Sequence, residues 1–146
     1  MFYVKEIQLK FRKRPAIGIE GAGVLKPEDV YCLVRDLRES VVEKMLALHL
    51  SSRNNINCVQ VVSIGTVNSA PVNPAEIARV ALLTASVGVL LVHNHPSGDT
   101  KPSNEDRTIT GQVKKALELF GIALVDHLVV SDSGWYSFKT EGILDC

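Results

Sequence analysis

The chain carries no net charge: 16 lysines and arginines stand against 16 aspartates and glutamates. Nothing global therefore steers it toward nucleic acid or an anionic membrane. Cysteine is scarce, with Cys32, Cys58 and Cys146 far apart and in no Cys-x-x-Cys pair. An odd, scattered set argues against a disulfide framework or a thiolate zinc site and fits reduced thiols in a cytosol. Long apolar runs are missing as well. The longest, residues 87–92, is far too short to span a bilayer. Met1-Phe2-Tyr3-Val4-Lys5-Glu6 has no signal-peptide pattern, and there is no internal repeat or low-complexity segment. A soluble cytoplasmic protein is expected. The basic run Lys10, Arg12, Lys13 and Arg14 is a local exception, read as charges that keep a strand edge from aggregating.

What is present suits one compact domain over residues 1–146, with 46% hydrophobic residues to build a core. The core is expected over about residues 27–146. Residues 2–11 read as an edge strand, and residues 15–26, with Gly18, Gly21 and Gly23, as a loop. Pro27 opens a helix whose buried stripe is Val30, Leu33, Val34 and Leu37. Strands follow at 42–50 and 58–67, joined as a hairpin by Ser51-Ser52-Arg53-Asn54-Asn55. Asn73-Pro74 starts a second helix with Ile77, Val80, Ala81 and Thr84 facing inward. The unbroken apolar run 87–92 reads as a central strand covered on both faces.

A further helix runs from about Ser103 to Phe120, with Ile109, Val113, Ala116, Leu117 and Phe120 on its inner face and Gly121 as its stop. Two last strands, 122–130 and 135–138, turn at Ser131-Asp132-Ser133-Gly134. The expected fold is α/β, a mixed β-sheet flanked by helices on both sides.

Polar functionality concentrates where the apolar run ends, in His93-Asn94-His95-Pro96-Ser97-Gly98 and onward to Pro102-Ser103-Asn104-Glu105-Asp106. On an extended backbone, residues two apart face the same way, so His93 and His95 can aim both imidazoles at one point. The loop's glycine and prolines let it double back and bring Asp106 over that point. Two imidazoles and a carboxylate suit Zn²⁺ with a fourth position left for water, the pattern of a catalytic rather than a closed structural site. Plainer readings stand beside this one. A His-x-His pair can be two satisfied polar residues on a strand, and Ser103-Asn104-Glu105-Asp106 is a good capping box.

His93-x-His95, seven intervening residues, Ser103, two more and Asp106 together resemble the JAMM motif of the JAB/MPN metalloprotease family. The wording His93-Asn94-His95-Pro96-Ser97-Gly98 is similar to its RadC branch. The resemblance runs from about residue 41 to the C-terminus and includes Pro74-Ala75-Glu76-Ile77 and Val125-Asp126-His127-Leu128-Val129-Val130.

It implies a three-layer fold of cytidine-deaminase type and one zinc per chain, held by His93, His95 and Asp106. It also implies Glu43 as general base and Ser103 as a helper of the developing oxyanion. Glu39 and Glu76 are local competitors of Glu43, although one lies at a helix end and the other in a helix's first turn, where acids are common. His49 and His127 read as satisfied core or sheet-face histidines.

The leading reading is a zinc hydrolase cutting an amide or isopeptide-type bond in a peptide or protein. Set against it are an accessory domain in DNA repair or mobile-element biology and a metal-bound structural module without turnover. Full-length RadC-branch members carry an N-terminal helix-hairpin-helix segment that this chain is too short to contain, and neutral charge adds no support for nucleic acid. Neither His-Glu-x-x-His nor Pro-Cys-x-x-Cys occurs, which argues against a zincin or a nucleobase deaminase.

Overall fold

The computed structural model describes residues 23, 24, 26–65 and 72–145. The strand expected at 2–11, the basic run Lys10 to Arg14, most of the loop at 15–26, Val67 and Cys146 lie outside these residues. Helices α1 (Pro27–Leu33) and α2 (Arg35–Arg38) are followed by strands β1 (Lys44–Leu50) and β2 (Ile56–Ile64). Then come α3 (Pro74–Leu83), β3 (Gly88–Asn94), α4 (Asn104–Glu118), β4 (Ala123–Ser131) and β5 (Gly134–Ser137). No helix among the described residues is long and apolar enough to cross a membrane.

The five strands form one open mixed sheet in the order β2-β1-β3-β4-β5. β1 is antiparallel to both β2 and β3, β3 runs parallel to β4 through the α4 crossover, and β5 returns antiparallel. The central strand β3 is buried along its whole length, as its apolar run required. On one face Ala47, Val89, Leu91 and Val129 pack with Ile77, Ala81, Val113 and Leu117 of α3 and α4. On the other, Leu48, Leu50, Leu90, Val92 and Leu128 pack with Val30 of α1, Leu37 of α2 and Val34 between them. Fully burying each of these Val, Leu and Ile side chains contributes roughly 1.5–3 kcal/mol, so both helical layers are held by their apolar stripes.

Local signals explain most boundaries. Asn73 Oδ1 accepts from the Ala75 N–H at 3.0 Å and caps α3. The β1–β2 hairpin closes through Asn54 in a left-handed conformation, φ 58°, which asparagine tolerates. Gly88 lets β3 approach its neighbours, since an added Cβ would meet Val125 Cγ2 at 2.9 Å.

Several expectations are corrected. The helix opened by Pro27 breaks at Val34, whose φ and ψ of −98° and 39° leave the helical region, so the stripe is shared by two short helices. α4 ends at Glu118, which puts Phe120 beyond it, 53% exposed rather than inward. On α3, Ala78 is buried while Val80 and Thr84 are half-buried. Val87 is exposed just before β3.

Candidate metal centre

Antiparallel pairing sets Met45 opposite His93, so the start of β1 lies beside the end of β3. His93 is 1% exposed and shares the α3/α4 side of the sheet with Leu91. His95 follows the strand but stays tied to the sheet, its N–H donating to the Val130 carbonyl at 3.0 Å. The two-residue spacing brings the Nε2 atoms of His93 and His95 to 2.9 Å from each other.

Gly98, with φ 89°, turns the loop back so that the Asp99 carbonyl meets His95 Nδ1 at 2.7 Å. A carbonyl only accepts, so Nδ1 carries a proton, and whenever the ring is neutral its Nε2 lone pair faces inward.

The first turn of α4 delivers the carboxylate. Ser103 Oγ accepts from the Asp106 N–H at 3.0 Å, and Asp106 Oδ2 accepts from the Ser103 N–H at 2.8 Å. The capping box is therefore real, and it points the Asp106 side chain at the histidines. Oδ1 stands 3.3 Å from His93 Nε2, and Oδ2 stands 3.4 Å from His95 Nε2. Glu43, immediately before β1, places Oε1 3.6 Å from His95 Nε2. One ligand atom each of Glu43, His93 and His95 lie within 4.8 Å of one another.

Asp106 is the closer acid to the nitrogens and the less exposed one, at 13% of its side chain against 44% for Glu43. The arrangement thus supplies an inner and an outer carboxylate.

Electrostatics favour positive charge at this point. Burial alone would raise the Asp106 carboxyl, but the two imidazole rings beside it and the bond it accepts from the Ser103 N–H hold it well below the usual carboxylate range. His95 is shifted upward, chiefly by its contact with Asp106, against the opposing effect of burial. Two imidazoles and two carboxylates converging on one point form a nitrogen–oxygen donor set that fits Zn²⁺.

The competing acids are engaged elsewhere: Glu39 pairs with Arg35 at 2.9 Å and Glu76 with Arg79 at 2.7 Å. His49 is buried and its Nε2 is bonded to Gln60 Oε1 at 2.9 Å, but its buried Nδ1 has no partner, so the expected satisfied sheet-face histidine is satisfied at one nitrogen only. Neither Cys32 nor Cys58 forms a disulfide. A cleft of about 320 Å³ opens beside His95, lined by Arg38, Ser40, Val41, Pro96, Gly98 and Asp132 among others.

Sequence reasoning missed two supports. Asn94, between the histidines but on the opposite strand face, is fully buried and bonds to Ser40, Val42 and Lys44. His127 is buried as expected, yet its partner is His93, at 2.7 Å between Nε2 and Nδ1. A buried amide flanked by two candidate ligands, and a polar ring inside an apolar strand, were the available signals.

The family profile described as RadC-like JAB domain matches residues 24–143. A UPF0758 protein of Methanosarcina acetivorans is 41% identical over 122 residues, covering 83% of this chain and 53% of its own length. One of Desulforamulus reducens is 38% identical, covering 97% of this chain and 65% of its own. Another, of Aquifex aeolicus, is 35% identical and covers 97% of this chain and 63% of its own. The chain thus spans between about half and two thirds of the length of these curated relatives. With the JAB-type mixed sheet, the motif geometry and the matched profile in agreement, the chain belongs to the RadC-like JAB domain family.

Proposed function

We propose that this chain is a zinc-dependent hydrolase of the JAMM type, acting in the cytoplasm on a peptide or isopeptide-type bond. The observation that carries the reading is the approach of the Asp106 carboxylate to both histidine Nε2 atoms, with Glu43 just outside. His93, His95 and Asp106 would hold one zinc per chain. When bound, zinc supplies Lewis acidity toward the scissile carbonyl and acidifies a water.

Glu43, half-buried with Oε1 3.6 Å from His95 Nε2, would take the proton from the attacking water and return it to the leaving amine. Ser103 uses an oxygen lone pair for the helix cap, which leaves its O–H proton to donate to the developing oxyanion. The cleft beside His95 gives an extended segment of substrate access to that point.

The test begins with metal content. Purified protein should hold about one zinc per chain, and His95→Ala should lose most of it while keeping the fold. Unchanged zinc in that variant would sink the ligand set. Zinc-loaded protein is then screened on peptide and isopeptide-linked libraries, where chelator-sensitive cleavage is expected. No cleavage at full zinc occupancy would count against the hydrolase reading.

A further inference from the structure

Behind His93 lies a buried chain of polar groups that the proposed hydrolysis does not use. His93 Nδ1 meets His127 Nε2 at 2.7 Å, and His127 Nδ1 meets Thr110 Oγ1 at 2.6 Å. Thr110 Oγ1 in turn lies 2.5 Å from the Asp106 carbonyl, one turn back along α4. All three side chains are buried, with Thr110 at 3% exposure and His127 at 0%. The His127 ring is stacked on Phe138, 4.7 Å between centroids and 17° between planes, so it does not turn to find other partners. Neighbouring Asp126 is no alternative for the ring, because its oxygens accept from the His127 and Lys139 N–H groups and from the Ser137 hydroxyl.

Donor and acceptor roles along this chain follow from its far end. A carbonyl accepts only, so the single Thr110 hydroxyl proton goes to Asp106 O. Thr110 Oγ1 must then accept from His127, which puts the His127 proton on Nδ1. The ring is fully buried, stacked on Phe138 and bonded to no carboxylate, so it carries only the proton already placed on Nδ1, and Nε2 is an acceptor. His93 can satisfy that acceptor only by carrying its own proton on Nδ1.

We infer that Thr110 and His127 are positioning residues that lock His93 in the Nδ1–H tautomer and so hold its Nε2 lone pair toward Asp106 and His95. Thr110 hangs from the same helical turn as Asp106, which couples the orientation of one candidate ligand to the backbone of another. The consequence for affinity rests on the metal-site reading above. The tautomer itself does not.

The experiment has two arms. Ring ¹⁵N spectra of histidine-labelled protein, metal-free and mildly alkaline, then zinc-loaded, should show His93 and His127 as Nδ1–H tautomers in both states. An Nε2–H signature for either ring in the metal-free protein would overturn the inference, whatever the protein does with zinc. In the second arm, zinc affinity is measured by chelator competition. Thr110→Val should weaken it by roughly 10–100-fold, the usual scale for losing an orienting partner behind a ligand, while Thr110→Ser should restore it to within a few-fold. Equal affinity in Thr110→Val and wild type would also overturn the inference. Absence of zinc binding by wild type would instead refute the metal-site reading, with the tautomer spectra still deciding this one.

Discussion

Asn94 brackets Glu43. Its Oδ1 accepts from the Lys44 N–H at 2.8 Å, and its Nδ2 donates to the Val42 carbonyl at 3.1 Å, one residue to either side of the glutamate. A third bond, to the Ser40 carbonyl at 3.1 Å, ties the same amide to the end of the α2 segment. β3, which carries His93 and leads into His95, thereby holds the proposed base by its backbone. Asn94→Leu should destabilise the protein by about 2–3 kcal/mol, as expected when backbone groups lose buried partners. Denaturant titration measures that loss. Zinc content should survive while turnover falls, because Glu43 loses its placement and the ligands do not. A variant as stable and as active as wild type would refute the bracket.

Glu43 and Asp106 should separate cleanly on substitution. Glu43→Gln keeps shape and hydrogen bonding but cannot take the proton, so turnover should fall by on the order of 10²-fold or more at near-normal zinc occupancy. Its stability should stay level or rise slightly. Asp106→Asn should weaken metal binding itself. Loss of zinc from Glu43→Gln would make that residue a ligand, and full activity would move the base elsewhere.

Zinc should act as a folding ligand. With free metal at about 100 times its dissociation constant, the gain is about 2.7 kcal/mol, or roughly 5–10 °C in Tm for a chain of this size. Asp106→Asn should gain far less under the same conditions, and a chelator should reverse the wild-type shift. Equal shifts in both proteins would place the metal somewhere other than this centre.

His49 gives a pH signature independent of the centre. Desolvation lowers its pKa, partly opposed by its bond to Gln60, and its Nδ1 has no partner to receive a second proton's charge. A base with a depressed pKa in the fold is protonated first in the unfolded chain. Its stabilising contribution is therefore full above about pH 6.5 and is lost as pH falls below that value toward the folded pKa, by at most about 1.4 kcal/mol per pH unit. His127 titrates in the same sense, whereas the upward shift of His95 acts oppositely, adding stability that is lost as pH rises through its folded pKa. Comparing His49→Leu with wild type isolates the one contribution. Chemical denaturation at about pH 8 and about pH 5 should show a smaller acid loss in the variant. An unchanged loss would show that His49 does not titrate on unfolding.

Periodicity and local chemistry made most of the architecture readable. The run that became β3, the Asn73 cap and the Ser103–Asp106 box depend on neighbours in the chain, and they appear where expected. The break at Val34 and the exposure of Phe120 were hidden, because an apolar stripe at spacings of three and four does not reveal where a helix bends or stops. Within the centre, His93, His95 and Asp106 were legible as a spaced motif, and Glu43 only through resemblance. The contacts of Asn94 with Lys44 and of His93 with His127 bridge 50 and 34 residues, and no local pattern encodes such distant partners.

One carboxylate serves both the start of α4 and the cluster of histidines, and Asp106 does so in a single side-chain conformation. Its conformational entropy is therefore lost when the helix forms, before any cation arrives, so the site is preorganised. Fraying of that first turn would release the carboxylate and a bound ion together. The residence time of an ion held there would then be tied to local opening at residues 103–106 rather than to global unfolding, and added zinc should slow amide hydrogen exchange at Ser103 and Asp106 before it protects the deep strands.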